Sequence, residues 1–382
     1  MDSKFYQLFG VRTSLYTGKA RSYLNKQSID FIEILSGDPR TKQRVTDVLG
    51  QLILPTLISP DGDIVQDSTD IIEYLEAKGE AQYSAYPSSP RQLAVALLLN
   101  VYGMEGLLRP AMHYRWSFDD ENLEYLRSEF AAMMTPLLAL DQREMIAGKM
   151  MDRMRGAGAA FGVAKDTMPL IEDMYLELLD ILNRHFESNP YLLGGLPSWA
   201  DYGLMGPLYA HLSRDPAPSS LMKKHATDVW RWTERMNDRG LRYQDHPQMG
   251  PNFHADDEIP ETLKALLRFA AVDLVPETLM VVEYTNAWLD ENSTVGKGTP
   301  FSRGLGMGSF ECRGQKISAL VQPLRLHLLQ KLQDAVDSMN ENDRLSVRSL
   351  FSEVGLEPLL DARANRRTER HDNQGFWGDR IV

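Results

Sequence analysis

The chain has 382 residues, room for two or three domains, and its 43% hydrophobic and 25% charged content suits a globular core and excludes wholesale disorder. Forty-one basic against 53 acidic residues give a net charge of −12 and a pI near 5.2, which argues against a nucleic-acid partner and against adhesion to an anionic membrane, since both need clustered Lys and Arg. The single cysteine, Cys312, excludes an intrachain disulfide, a Cys-x-x-Cys redox pair and a cysteine zinc site, and the histidines lack metal-ligand spacing, so no metal is expected.

Lys4 to Gly10 (KFYQLFG) reads as a strand, and Ser14 to Gln27 has apolar residues near helical spacing. Asp30 to Leu35 and Leu52 to Ser59 are further strands. The second closes on the turn Pro60-Asp61-Gly62-Asp63, and Ile64 to Gln66 is a short fourth strand. Helical pattern resumes at Thr69 through Ala77. The crossover implies a parallel strand pair and the Asp-Gly turn an antiparallel one, giving a small mixed sheet with helices on its faces. Gly79 to Pro90 is a linker by its Pro and Ser content.

From Arg91 to about Arg239 the pattern is helical. Leu93–Leu108, Glu121–Met154, Met168–Phe186, Ala200–Leu212 and Leu221–Asn237 suggest an all-helical bundle. Beyond it, two helices are expected at Glu261–Leu274 and Pro276–Glu291, and a hairpin within glycine-rich Pro300–Gln315. Lys316–Asn340 should be a helix started or kinked by Pro323. The last 20 residues read as a polar, arginine-rich tail. Gly304-x-Gly306-x-Gly308 lacks the spacing of a phosphate loop and reads as a turn. Met1-Asp2-Ser3-Lys4 lacks the basic patch and apolar run of a leader, and no apolar run approaches the ~18 residues of a membrane span, so a cytoplasmic protein is expected.

Three features of the first 80 residues carry chemistry. Ser14-Leu15-Tyr16-Thr17 opens the first helix, where unpaired N–H groups and the dipole favour a negative charge; Lys19 and Arg21 follow one turn on. Ser14 equally suits a plain N-cap. Leu54-Pro55 puts a proline inside an apolar strand, the setting of an edge or a cis bond. Gln66-Asp67-Ser68 stands directly before a helix and suits capping or ligand contact. A fourth feature, Ser198-Trp199-Ala200-Asp201, has the spacing of a capping box.

Together these resemble the glutathione transferase superfamily over roughly residues 4 to 240. The resemblance implies an α/β thioredoxin-like N-terminal domain (1–79), a linker (80–90), an all-α helical C-terminal domain (91–240) and an additional, mostly helical C-terminal extension (241–382). It implies attack of the glutathione thiolate on an electrophilic small molecule, with glutathione as co-substrate, no further cofactor, and a cytoplasmic homodimer active in detoxification. Ser14 is the implied thiolate donor, with Tyr16 the alternative. Thr17, Lys19, Leu54, Pro55, Asp67 and Ser68 are the implied glutathione contacts. A hydrophobic or aromatic electrophile would meet Met104, His113 and Arg115, although His113 and Arg115 also suit packing. The residue before Leu54 is Ile53, where many relatives place a polar group for the glycyl carboxylate; Lys42 or Arg44 could serve instead. Two other readings share the site: a non-catalytic binding or scaffold protein, and a glutathione-dependent lyase or dehalogenase.

Overall fold

The computed structural model describes residues 4–135 and 137–381; the opening Met1-Asp2-Ser3, read above for a leader, lies outside them. The chain divides into two compact units, each assembled from separated stretches. The first holds Met1–Ala85, Ala111–Ala157 and Met205–Pro247; the second holds Tyr86–Pro110, Gly158–Leu204 and Gln248–Val382.

In the first unit, β1 (Tyr6–Gly10), β2 (Phe31–Leu35), β3 (Thr56–Ile58) and β4 (Ile64–Gln66) form one sheet in the order β2-β1-β3-β4. Helix α1 (Leu15–Lys26) is the crossover that makes β1 and β2 parallel, with Tyr6 opposite Phe31. β3 and β4 are antiparallel neighbours joined through Gly62, whose φ of 95° an L side chain would resist. Every residue of β1 is buried, as expected of a central strand covered on both faces. Phe9, Ile34, Val45 and Ile58 form one apolar cluster. Tyr23 and Leu24 of α1, with Ile71 and Leu75 of the helix Ser68–Ala77, are also fully buried. Each such side chain contributes about 1.5–3 kcal/mol.

Glu121–Met154, read as helical, is two helices, Asp119–Ala132 and Leu140–Gly156. They share a core of Leu126, Phe130, Met133, Ala147 and Met151 with Trp116 and Val11. The helix Thr227–Asn237 is tied to α1 at its end: Ser22 Oγ donates to the Met236 carbonyl (2.8 Å), Asn25 Nδ2 to that of Asn237 (3.0 Å) and Lys26 Nζ to that of Gly240 (2.7 Å). Side chains of α1 thus satisfy carbonyls that a helix terminus leaves open.

The second unit departs from the sequence reading in three places. Glu261–Glu291 is one continuous helix with Pro276 inside it, where the proline suggested a break. Pro276 removes one backbone donor, but Leu266, Leu267, Ala270, Leu274 and Val281 are buried on both sides of it and hold the helix through. Lys316–Leu320 is strand, not helix. β5 (Met307–Cys312) pairs with β6 (Gln315–Leu320), and the helix begins only at Pro323. The terminal stretch is a second hairpin, β7 (Arg366–His371) with β8 (Gln374–Arg380), not a tail. Both hairpins turn on two residues of positive φ, Arg313-Gly314 (52° and 79°) and Asp372-Asn373 (50° and 60°), the geometry whose twist matches paired strands.

The capping box of this unit forms through its acidic member. Asp201 accepts the Ser198 N–H (2.9 Å), the Ser198 hydroxyl (3.1 Å) and the Leu192 N–H (2.9 Å), and both Ser198 and Asp201 are fully buried. Asp201→Ala strands two buried N–H groups. Each costs about 1–3 kcal/mol, so urea unfolding should show a loss of about 2–5 kcal/mol, with Asp201→Asn recovering part of it.

Candidate functional site

The first unit brings the sequence-flagged loops together. At the end of β1 the chain turns at Val11–Ser14, with the Ser14 N–H on the Val11 carbonyl (3.2 Å), and enters α1. Ser14 is the N-cap: its Oγ accepts the Thr17 N–H at 3.3 Å. Serving as acceptor leaves the hydroxyl proton of half-buried Ser14 available for donation. No acidic residue stands in the first turn of α1, so the positive end of the helix is not offset there.

Two arginines hold the turn from beneath. The Arg115 guanidinium donates to the Thr13 carbonyl (2.8 Å), to the Ala210 carbonyl (2.7 Å) and to both carboxylate oxygens of Asp215 (2.7 and 2.9 Å). Arg214 donates to the Arg12 carbonyl (3.0 Å) and pairs with Glu129. The carbonyls of Arg12 and Thr13, immediately before Ser14, are therefore each fixed by a cation. Burial pushes the Asp215 carboxyl up, and the Arg115 guanidinium opposes that rise. His211 is buried beside them with Nδ1 3.0 Å from the Ala111 carbonyl. Burial first, and the Arg115 charge second, push it well below the ordinary histidine value, so it stays neutral.

The other two loops meet at Pro55. The Leu54-Pro55 peptide is cis, and the Pro55 carbonyl accepts the Asp67 N–H at 3.1 Å. Thr56 lies opposite Gln66 in the β3–β4 ladder, which brings the proline loop and the Gln66-Asp67-Ser68 segment side by side. Asp67 has a φ of 84°, rare for a residue with a side chain. It caps the helix Ser68–Ala77 by accepting the Thr69 N–H at 2.8 Å. Ser68 is fully buried, and its Oγ has no hydrogen-bond partner among the described residues.

Several expected contacts are placed otherwise. Thr17 is fully buried, packed so that a Cβ on Gly10 would come within 2.3 Å of it, and its Oγ1 accepts the Val11 N–H at 3.4 Å, which braces the turn. Lys19 is likewise fully buried, and its Nζ donates to Thr69 Oγ1 (3.0 Å), tying α1 to the next helix. Arg21 forms a two-point pair with Glu33 (2.8 and 2.5 Å), so its charge is matched within the sheet. Arg115, expected in an electrophile pocket, is 3% exposed and engaged as described, and His113 is 1% exposed among the rings of Tyr114 and Phe118. Met104 is buried in the second unit, at 4% exposure. Tyr16 and Leu54 are half-buried. Sequence reading missed Thr13, Arg214 and Asp215; the pair Arg214-Asp215 ahead of the helix-starting Pro216 was the available signal.

Family models match in two places, the glutathione S-transferase N-terminal domain over residues 8–82 and the glutathione S-transferase C-terminal domain over residues 172–239. Over residues 8–82 and 172–239 the chain thus carries the two domains of a glutathione S-transferase. Neither model reaches residues 240–382. No curated protein matches the chain in sequence. Among solved structures, a glutathione transferase from Phanerochaete chrysosporium is 14% identical, covering 61% of this chain and 96% of that one, with a TM-score of 0.42. One from Ceriporiopsis subvermispora, in complex with glutathione, is 17% identical over 60% of this chain and 95% of that one, with a TM-score of 0.39. The beta-etherase LigF from a Sphingobium strain is 18% identical over 61% and 95%, with a TM-score of 0.38. At these TM-scores the likenesses add nothing to the family match. Among the described residues no helix is long and apolar enough to cross a membrane, and no cluster of His, Cys, Asp and Glu is suited to a metal ion.

Two predictions follow from the arginine and histidine beneath Ser14. Arg115→Met leaves Asp215 buried without its cation, so chemical denaturation should show a loss of about 3–5 kcal/mol, and adding Asp215→Leu should restore part of it. His211 binds a proton unfolded but not folded. Below the unfolded value near 6.5 the unfolded state therefore gains protons, and stability falls with falling pH. The stability difference between wild type and His211→Gln should accordingly change by up to ~1.4 kcal/mol per pH unit below 6.5 and be flat above pH 7.5.

Proposed function

We propose that the first unit binds glutathione at the junction of Ser14, Leu54-Pro55 and Asp67-Ser68, and that the protein transfers the glutathione thiolate to a hydrophobic or aromatic electrophile. One observation carries the reading: Ser68 Oγ is a buried hydroxyl with no partner among the described residues, in the first turn of a helix. Such a group suits the carboxylate at the γ-glutamyl end of the tripeptide, which helix N-termini favour. The Pro55–Asp67 contact supports it, since it joins the loop that would take the cysteinyl backbone to the loop that would take the γ-glutamyl end.

Ser14 is the proposed donor to the sulfur. A free thiol has a pKa near ~8.5, and lowering it by ~2 units requires about 2.7 kcal/mol of selective thiolate stabilisation. One hydroxyl hydrogen bond together with an unopposed helix N-terminus is of that size. Half-buried Tyr16 is the alternative donor, whereas buried Thr17 is not. Glutathione is a co-substrate in this proposal, and a cytoplasmic, homodimeric, detoxifying enzyme belongs to the same reading.

The scaffold reading draws on a different observation. Ile53, 39% exposed and apolar, occupies the place where a polar side chain would meet the glycyl carboxylate. Arg44 is engaged by Gln7 (2.5 Å) and Lys42 by Asp47 (2.7 Å). Calorimetry with glutathione and turnover of a chloronitrobenzene separate the two readings. The transferase reading expects millimolar or tighter binding and turnover. Ser14→Ala should lower kcat/KM by about 10–100-fold and raise the pKa of the bound thiol, while Ser68→Ala should mainly weaken glutathione binding, by about tenfold. Binding without turnover over a panel of electrophiles would favour the scaffold, and elimination products without conjugate would favour the lyase or dehalogenase. No glutathione affinity at all would remove all three.

A further inference from the structure

One apolar core of the first unit carries two buried donors without a partner. It joins Val11, Trp116, Met133 and Ala147, with half-buried Leu54 and Ile146 packed against it. Trp116 Nε1 and Arg143 Nε are buried, and neither has a hydrogen-bond partner among the described residues. Each is an N–H that can only donate.

Arg143 belongs to this core by register. It stands four residues before Ala147 and three before Ile146 in the helix Leu140–Gly156, hence on the same face. A helical side chain leans toward the start of its helix. The segment leading into that start contains Met133, whose sulfur accepts the Thr13 hydroxyl (2.9 Å) and whose carbonyl accepts the Gly37 N–H (3.2 Å). This end of the core therefore adjoins the turn that carries Ser14.

Among the described residues no carboxylate pairs with Arg143. Its neighbours three and four positions away, Ala139, Leu140, Ile146 and Ala147, are uncharged, while exposed Asp141 and Glu144 lie at spacings that do not face it. On the helix Asp119–Ala132, Glu129 pairs with Arg214, Glu124 with Arg127 and Asp119 with Arg155. The last pair sets Asp120 and Glu121 at the far end of Leu140–Gly156, about 18 Å along its axis from Arg143. A water can satisfy an N–H but brings no charge. A half-buried guanidinium without a counterion, beside apolar Ile146 and Met150, suits an anionic group on an apolar body.

We propose that the electrophile taken by the first unit is an aromatic carboxylate, its ring against Ile146 and Met150 and its carboxylate on the Arg143 guanidinium. This rests on reading the turn at Ser14 as the thiolate site, and it narrows the hydrophobic or aromatic electrophile of that reading to an anionic one. The apolar neighbours of Arg143 favour the electrophile over the glycyl carboxylate of glutathione, which has no ring to lay on them. Trp116 Nε1–H is a second donor at this core for an uncharged oxygen such as that of a nitro group.

The test is calorimetry of the full-length protein with 3,5-dinitrobenzoate and with its methyl ester, which lacks the charge. Neither turnover nor glutathione enters it, so a failure of the transferase reading, seen as no conjugate from a chloronitrobenzene, is distinct from a failure of this one. Wild type should bind the acid about tenfold or more tighter than the ester, the scale of one hydrogen bond to a charged group, and the difference should shrink with rising salt. Arg143→Gln should bring the two within about twofold by weakening the acid alone, and Arg143→Lys should keep part of the preference. Ester affinity and the circular dichroism spectrum report that each variant is folded. Equal binding of acid and ester by wild type, binding of neither, or a preference that survives Arg143→Gln would overturn the proposal. So would a loss of glutathione affinity in Arg143→Gln with the acid-to-ester ratio unchanged, which would place Arg143 on the glycyl end instead.

Discussion

The closure of Arg115 on Asp215 and on the carbonyls of Thr13 and Ala210 is the constraint on which the candidate site rests. The turn from β1 into α1 packs Val11 into the apolar core, while Arg12 is exposed and Ser14 half-buried. Its shape comes from below, where one guanidinium holds the Thr13 carbonyl while its charge is matched by a buried carboxylate. An ion pair so buried contributes little net stability over an apolar replacement. What it supplies is direction, because a planar five-donor fork fixes several acceptors at once, which neither a lysine nor an apolar side chain can do. Breaking such a pair is costly for the same reason that forming it gains little: each ion has already lost its water.

The site uses backbone conformation in the same economical way. Asp67 sits at positive φ, which a residue with a side chain adopts at a cost of about 1–3 kcal/mol. Two hydrogen bonds hold it there, its own N–H on the Pro55 carbonyl and its carboxylate on the Thr69 N–H. The consequence is that Ser68 enters the helix with its hydroxyl buried and unsatisfied. The core beside the turn shows the same signature at Trp116 Nε1 and Arg143 Nε. In both places a buried polar atom has no hydrogen-bond partner among the described residues, and binding chemistry has something to gain there.

The N-terminal sheet was legible because its signals are local. The apolar runs, the Asp61-Gly62 turn and the Ser14 cap each act within a few residues and are found where the sequence suggests, whereas Leu54-Pro55, read inside a strand over Leu52–Ser59, precedes a shorter strand, Thr56–Ile58. The roles of long polar side chains were not legible. Lys19 and Arg115 look like ligand contacts by type and position, yet both are buried on partners 50 and 100 residues away. The continuation of a helix through Pro276 and the conversion of Lys316–Leu320 to strand have the same origin, since burial against distant residues overrode the local preference.

What the sequence by itself determined is the order of elements in the first 80 residues, the caps and turns that end them, and the residue types at the three loops of the candidate site, because those depend on φ, ψ and hydrogen bonds within a few positions. Only the tertiary structure decided which of the hydroxyl and charged side chains remain open. Whether Thr17 faces a ligand or braces a turn, and whether Arg115 meets a substrate or a buried aspartate, depends on which atoms the rest of the chain brings within hydrogen-bonding distance, and the spacing of residues along a sequence does not contain that distance.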